Sequence, residues 1–182
     1  MSNDMTILTE IMNEAIVFCT EKTSLQGRDQ VAAARARADC RVCEYLRYGL
    51  AKSVAEYLGS LDATIKVVYV FEPDTATHMD GHTPDHPRLS PGISMLIWVS
   101  HKTAALASLL TSVQQATDEE FWKLPCPEAN ALCYMLDTIV VDDQEVQERR
   151  GYGAVVNSIY MAPTEIWHRD PVRMTSTPLP AD

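Results

Sequence analysis

The sequence predicts an α+β fold (mixed α/β) in which an N-terminal helical hairpin leads into a three- to four-stranded mixed sheet with helices on its faces. Three observations predict it. Two stretches with apolar residues at helical spacing open the chain, at residues 5–20 and 28–58. Short runs rich in Val, Ile and aromatic residues follow at 65–71, 93–99 and 135–141, with a weaker one at 164–167. Between the second and third runs lies a helix-length segment, and strand–helix–strand order predicts a right-handed parallel crossover.

In the first stretch Ile7, Leu8, Ile11, Met12, Ala15, Ile16 and Cys19 recur at helical spacing, while Glu10, Asn13 and Glu14 face away. After a break at 23–27, Val31, Ala34, Ala38, Val42, Leu46, Leu50, Val54 and Leu58 hold a four-residue rhythm. The Ala-rich run at 32–38 has high helix propensity, so the whole stretch reads as one long helix, stopped at Gly59. The first helix folds back on it as a hairpin.

Pro73 ends the first strand, and residues 72–91 form a loop carrying Gly81, Pro84, Pro87 and Pro91. Neither of the first two strands alternates with polar residues, which predicts that both are covered on each face. Ser100 reads as the N-cap of a helix over 103–117, with Leu106, Leu109, Leu110 and Val113 inward. Thr117 and Glu120 suit a capping box for a short further helix to Trp122, and Asp142 with Glu145 suits another. From Asp142, Val146, Tyr152, Val155, Val156, Ile159 and Tyr160 fit one helix, weakened at Gly151 and Gly153 and stopped by Pro163. Residues 1–170 read as a single globular domain, 1–60 the hairpin and 61–170 the sheet and its helices; residues 171–182, with three prolines and little apolar content, read as a disordered tail.

Composition narrows the function. The 182 residues are 46% hydrophobic and 22% charged, enough to bury a core, and the net charge of -10 repels nucleic acid and anionic lipid at long range. The apolar runs are strand-sized, too short to cross a bilayer. Residues 1–9 are polar, with Asp4 where a secretory signal carries Lys or Arg, and the five cysteines are an odd number. Together these predict reduced thiols in a cytoplasmic protein.

Five features invite a functional reading, each beside a plainer one. His78, His82 and His86 put three of the five histidines within nine residues, with Asp80 and Asp85 between them. Imidazole with carboxylate suits a divalent transition metal, zinc or nickel, although the glycine and prolines there forbid a helix and leave the ligands on a loop. The plainer reading is a solvated polar loop. Cys40 and Cys43 form a Cys-x-x-Cys pair, but the rhythm places them mid-helix, away from the helix start that lowers a thiol pKa, so packing is the expected role. Glu72, Asp74, Asp142 and Asp143 fall at strand ends where carboxylates can hold magnesium; no phosphate-binding glycine loop accompanies them, and capping accounts for Asp142. Arg149 and Arg150 beside Gly151 and Gly153 can grip an anion, or mark a kink.

The fifth feature is the long helix. Arg28, Arg35, Arg37, Arg41, Arg47 and Lys52 are six of the fifteen cations, against Asp29, Asp39, Glu44 and Glu56, a local charge of +2 in a chain of -10. Arg37, Arg41, Tyr48 and Lys52 fall on one side. Charge stripes are commonly solvated faces, but this one suits docking on an acidic partner. The expected function is a small cytoplasmic, non-catalytic protein acting through a protein partner or self-association by this helix. The alternative is a metal-binding protein or metal-dependent enzyme using the loop at 78–86.

Overall fold

The computed structural model describes residues 2–70, 92–121, 123–124, 135–159 and 162–170, with side chains from Thr9 onward. The apolar rhythm of the first stretch becomes α1, Ser2–Lys22, whose Ile11, Met12, Ala15, Ile16 and Cys19 are buried. The second stretch divides into α2, Gly27–Ala36, and α3, Cys40–Leu61. Along α3, Val42, Leu46, Leu50, Val54 and Leu58 are buried against α1 and the sheet. At Gly49 a Cβ would lie 3.0 Å from the Ala15 carbonyl oxygen and 3.1 Å from Phe18 Cβ, so the hairpin closes where one helix lacks a side chain.

The break in the long helix is a correction to the expected single element. Ala38 takes a left-handed φ of 55°, its N–H donates to the Arg35 carbonyl and that of Asp39 to the Ala34 carbonyl. This is a Schellman ending built without the usual glycine. Asp39 then caps α3, its carboxylate accepting from the N–H groups of Arg41 and Val42 at 3.1 and 3.2 Å. A strong N-cap and a closed C-terminal turn here outweigh the helix propensity of the Ala-rich run.

Four strands follow: β1 Ile65–Val70, β2 Ile93–Val99, β3 Leu136–Asp142 and β4 Thr164–His168. The sheet order is β3-β2-β1-β4, with β1 antiparallel to both β2 and β4 and β2 parallel to β3. The parallel pair is joined through α4, Ala104–Phe121, as the strand–helix–strand order predicts. Two further helices, α5 Asp143–Glu148 and α6 Gly153–Val156, lie between β3 and β4.

Local capping differs from expectation in three places. Thr103, not Ser100, caps α4, accepting from Leu106 N–H at 3.0 Å. No second helix starts at Thr117, which is buried inside an unbroken α4. The single helix expected from Asp142 is two short ones, because Arg149 at φ 53° and Gly151 at φ 51° turn left-handed between them. The Asp142–Glu145 capping box is present with both of its bonds.

The larger core lies on one sheet face, where Ile65, Val68, Met95, Ile97, Val99 and Leu136 meet α1, α3 and α4. On the other face Leu96, Val141 and Val146 form a smaller buried cluster, with Tyr69, Trp98, Ile139, Val155 and Val156 only partly covered. Two arginines tie elements together through carbonyls. Arg169 donates to Ile65 O, Gly59 O and Asp62 O at 2.6–2.9 Å, closing β4 onto the end of α3. Arg47 donates to Gly92 O at 2.6 Å, ahead of β2. No described helix is long and apolar enough to cross a membrane.

Candidate functional site

The four residues expected to meet a partner are all exposed, but they do not share one helix. Arg37 lies in the turn after α2, while Arg41, Tyr48 and Lys52 run along the outer stripe of α3. Arg41 stands two turns before Tyr48 and Lys52 one turn after it. Tyr48 stacks at a tilt on Phe18 of α1, ring centroids 5.5 Å apart, and the Lys22 ammonium lies 5.6 Å from the Phe18 ring centroid. Val17 beside Phe18 is 56% exposed and Tyr48 37%. Lys52 pairs with Glu56 at 3.9 Å, whereas no described acid pairs with Arg37 or Arg41. The face is thus a small aromatic and aliphatic surface rimmed by cations.

Arg35, counted among the helix's surface cations, is 2% exposed. Its guanidinium lies 3.7 Å from the centroid of the Phe121 ring and donates to the carbonyls of Phe121 and Leu124 at 3.0 and 3.3 Å. It holds α2 to the end of α4 and is structural, which reduces the charge that α2 and α3 present to solvent.

A second region gathers residues that the sequence keeps apart. At the carboxyl ends of the parallel pair β2–β3, a groove of about 700 Å³ is lined by Trp98, Asp143, Val146, Gln147, Arg149 and Asn157. In open sheets with parallel strands this is where ligands bind. Asp143 is its fixed point. Both carboxylate oxygens lie 2.7 Å from the Lys66 ammonium, and Trp98 Nε1 donates to one of them at 2.8 Å. Burial alone pushes this carboxyl up, but the hydrogen bonds from Lys66 and Trp98 and the charge of Lys66 outweigh it and hold the group below its ordinary range. Two features weighed separately in the sequence, Asp143 at a strand end and the Arg149 segment, therefore line one groove. Lys66 and Trp98 were missed; the available signal was a lone lysine inside an otherwise apolar strand, which must find a partner at the sheet surface.

Other candidates resolve into structure. Cys40 is the first residue of α3 rather than mid-helix, and exposed; Cys43 is half-buried and Cys19 buried, and none of the three is in a disulfide. The first-turn N–H groups of Arg41 and Val42 are already taken by Asp39, and that of Cys43 by the Asp39 carbonyl. Ser100 Oγ lies 3.0 Å from His101 Nδ1, with Ser100 half-buried and His101 exposed. His168 lies between Glu165 and Asp170, at 2.8 and 3.3 Å, on the exposed edge strand β4, and its pKa is raised, first by the hydrogen bond to Glu165. His78, His82 and His86 lie outside the described residues, as do Glu72 and Asp74. Among the described residues no three His, Cys, Asp or Glu side chains converge as metal ligands.

Comparison with protein-family models, with curated proteins and with solved structures finds no match.

Proposed function

We propose that this chain is a small cytoplasmic, non-catalytic protein that acts by docking a protein partner on the outer face of its helical hairpin. The observation that carries this reading is the exposed Tyr48 stacked on half-buried Phe18, with exposed Val17 beside it, flanked by Lys22, Arg41 and Lys52. Rigid aromatic anchors with arginine at the rim are the composition that binding hot spots favour. The cations select a partner segment with acidic residues around an apolar side chain, since complementary charge steers association. The overall charge of -10 keeps such a protein away from nucleic acid.

The test compares the chain with its Tyr48→Glu and Arg41→Glu variants and with Ser112→Glu, an exposed change on α4. Sedimentation reads self-association, and quantitative capture from cell extract reads partners. The reading expects a captured protein, or a dimer, that both hairpin variants lose and Ser112→Glu keeps. Identical capture by all four proteins, with none self-associating, overturns it.

A second reading, metal binding or metal-dependent catalysis with zinc or nickel at His78, His82 and His86, draws on the density of imidazole in that loop. Direct metal titration separates the two readings.

A further inference from the structure

We propose that the groove beside Trp98 is a binding site for a small ligand that carries a planar ring and one anionic group, a carboxylate or a phosphate. The sign of the ligand follows from which charges are already spent. Asp143 accepts three hydrogen bonds, two from the Lys66 ammonium and one from Trp98, so its charge is neutralised in place and its oxygens are occupied. Glu145 and Glu148, on the same short helix, are paired with Lys102 and Arg150. Arg149 alone among the charged residues lining the groove has no carboxylate partner among the described residues. The groove therefore presents one open guanidinium, whose planar fork matches a carboxylate or a phosphate.

The shape of the ligand follows from the rest of the lining. The Trp98 indole is held in one orientation by its N–H bond to Asp143, yet the residue remains partly exposed beside the groove. Val146 is buried at its floor, while Gln147 and Asn157 are exposed at its edge. A fixed indole and an aliphatic floor suit a flat ring, and the two amides supply donors and acceptors for ring substituents.

The backbone supports the same conclusion. Arg149 sits at φ 53°, the left-handed position of the α5 C-terminal turn, with Arg149 N–H donating to Val146 O and Arg150 N–H to Glu145 O. Glycine is the favoured residue there, and arginine is strained. Arg149 thus stands at a glycine position and lines the groove, with no carboxylate partner among the described residues, so its side chain is the cation the groove offers a ligand. The groove is built by α5 and α6 on the sheet face opposite the hairpin. The inference is therefore independent of the partner-docking reading, and either can fail alone.

Three probes test it by calorimetry and by tryptophan fluorescence: adenosine 5′-monophosphate, indole-3-acetate, and adenosine as the ring without the anion. The expected result is saturable binding of at least one anionic probe, with adenosine at least about tenfold weaker than its monophosphate if that is the ligand bound. Arg149→Gln should weaken binding about tenfold or more, and so should Arg149→Gly, which relieves the strained φ and keeps the fold. Arg150→Gln, which removes the neighbouring cation paired to Glu148, should change binding less than about threefold. Trp98→Leu should abolish the fluorescence response and weaken binding. Binding of adenosine 5′-monophosphate alone identifies a phosphate-bearing ligand, and of indole-3-acetate alone a carboxylate. No binding of either anionic probe up to about 1 mM, or binding that Arg149→Gln and Arg149→Gly leave unchanged, overturns the proposal.

Discussion

Arg35 lies over the Phe121 ring: its guanidinium carbon is 3.7 Å from the ring centroid, and the same group donates to the Phe121 main-chain carbonyl at 3.0 Å. A buried cation survives here because it stacks on an aromatic face and meets the carbonyls at the end of α4, where the helix dipole is negative. Arg35→Ala removes the stack and the hydrogen bonds to the Phe121 and Leu124 carbonyls from a buried site, so it should cost about 2–4 kcal/mol in denaturant unfolding. Arg35→Lys keeps the charge but neither the planar stack nor the fork, and should recover less than half of that. A loss below about 1 kcal/mol for the alanine variant would show that Arg35 does not hold α2 to α4.

The hairpin makes an opposed pair of predictions on one helix. Leu46 is fully buried in α3, and Leu46→Ala should cost about 2–5 kcal/mol. Tyr48, two positions on, is at the surface, and Tyr48→Ser should cost less than about 1 kcal/mol. Equal losses by thermal or denaturant unfolding would mean that the two faces of α3 are wrongly assigned.

Asp143 links stability to acid. Its folded pKa is depressed below the unfolded value of about 3.9, so its contribution is present above that value and is lost as pH falls through the folded pKa. The pair with Lys66 is nearly half exposed, at 43% and 44%, so screening limits the contribution to no more than about 1 kcal/mol. Between about pH 2 and pH 6 the wild type should lose more stability than Asp143→Asn as acid is added. Parallel curves would show that the ion pair contributes nothing.

The two left-handed turns without glycine predict stabilising substitutions. At Ala38, φ 55°, a side chain costs about 1–2 kcal/mol, and glycine returns about 0.5–1 kcal/mol of that as unfolded-chain entropy. Ala38→Gly should therefore gain about 0.5–1 kcal/mol. A destabilised variant would place α2 and α3 in one continuous helix.

The histidine cluster is tested directly by titrating metal-free protein with zinc and with nickel. The metal reading expects binding tighter than about 100 μM that is lost in His82→Ala, because three imidazoles brought to about 2.0–2.2 Å of one ion are its ligand set. Weaker binding, or binding that His82→Ala leaves unchanged, removes these histidines as a metal site.

Periodicity and composition by themselves determined the α+β class, the burial of Val42, Leu46 and Leu50, and the parallel β2–β3 pairing. Those features rest on spacing that repeats along the chain, so many residues agree on each. The Asp142–Glu145 capping box was legible for a related reason: both partners lie within one turn. What tertiary structure decided depends on single residues meeting across long separations. Arg35 reaches Phe121 over 86 positions and Lys66 reaches Asp143 over 77, and nothing local in either neighbourhood names its partner. The helix break at Ala38 escaped because the usual glycine is absent there and the φ is imposed by the turn's hydrogen bonds, while at Arg149 the sequence marked only a weak point, at Gly151 and Gly153, and not the left-handed arginine before them. The groove joins these two cases. Its cation stands at a turn without the expected glycine, and its carboxylate is neutralised by a lysine on a distant strand, so its chemistry exists only once the sheet has brought them together.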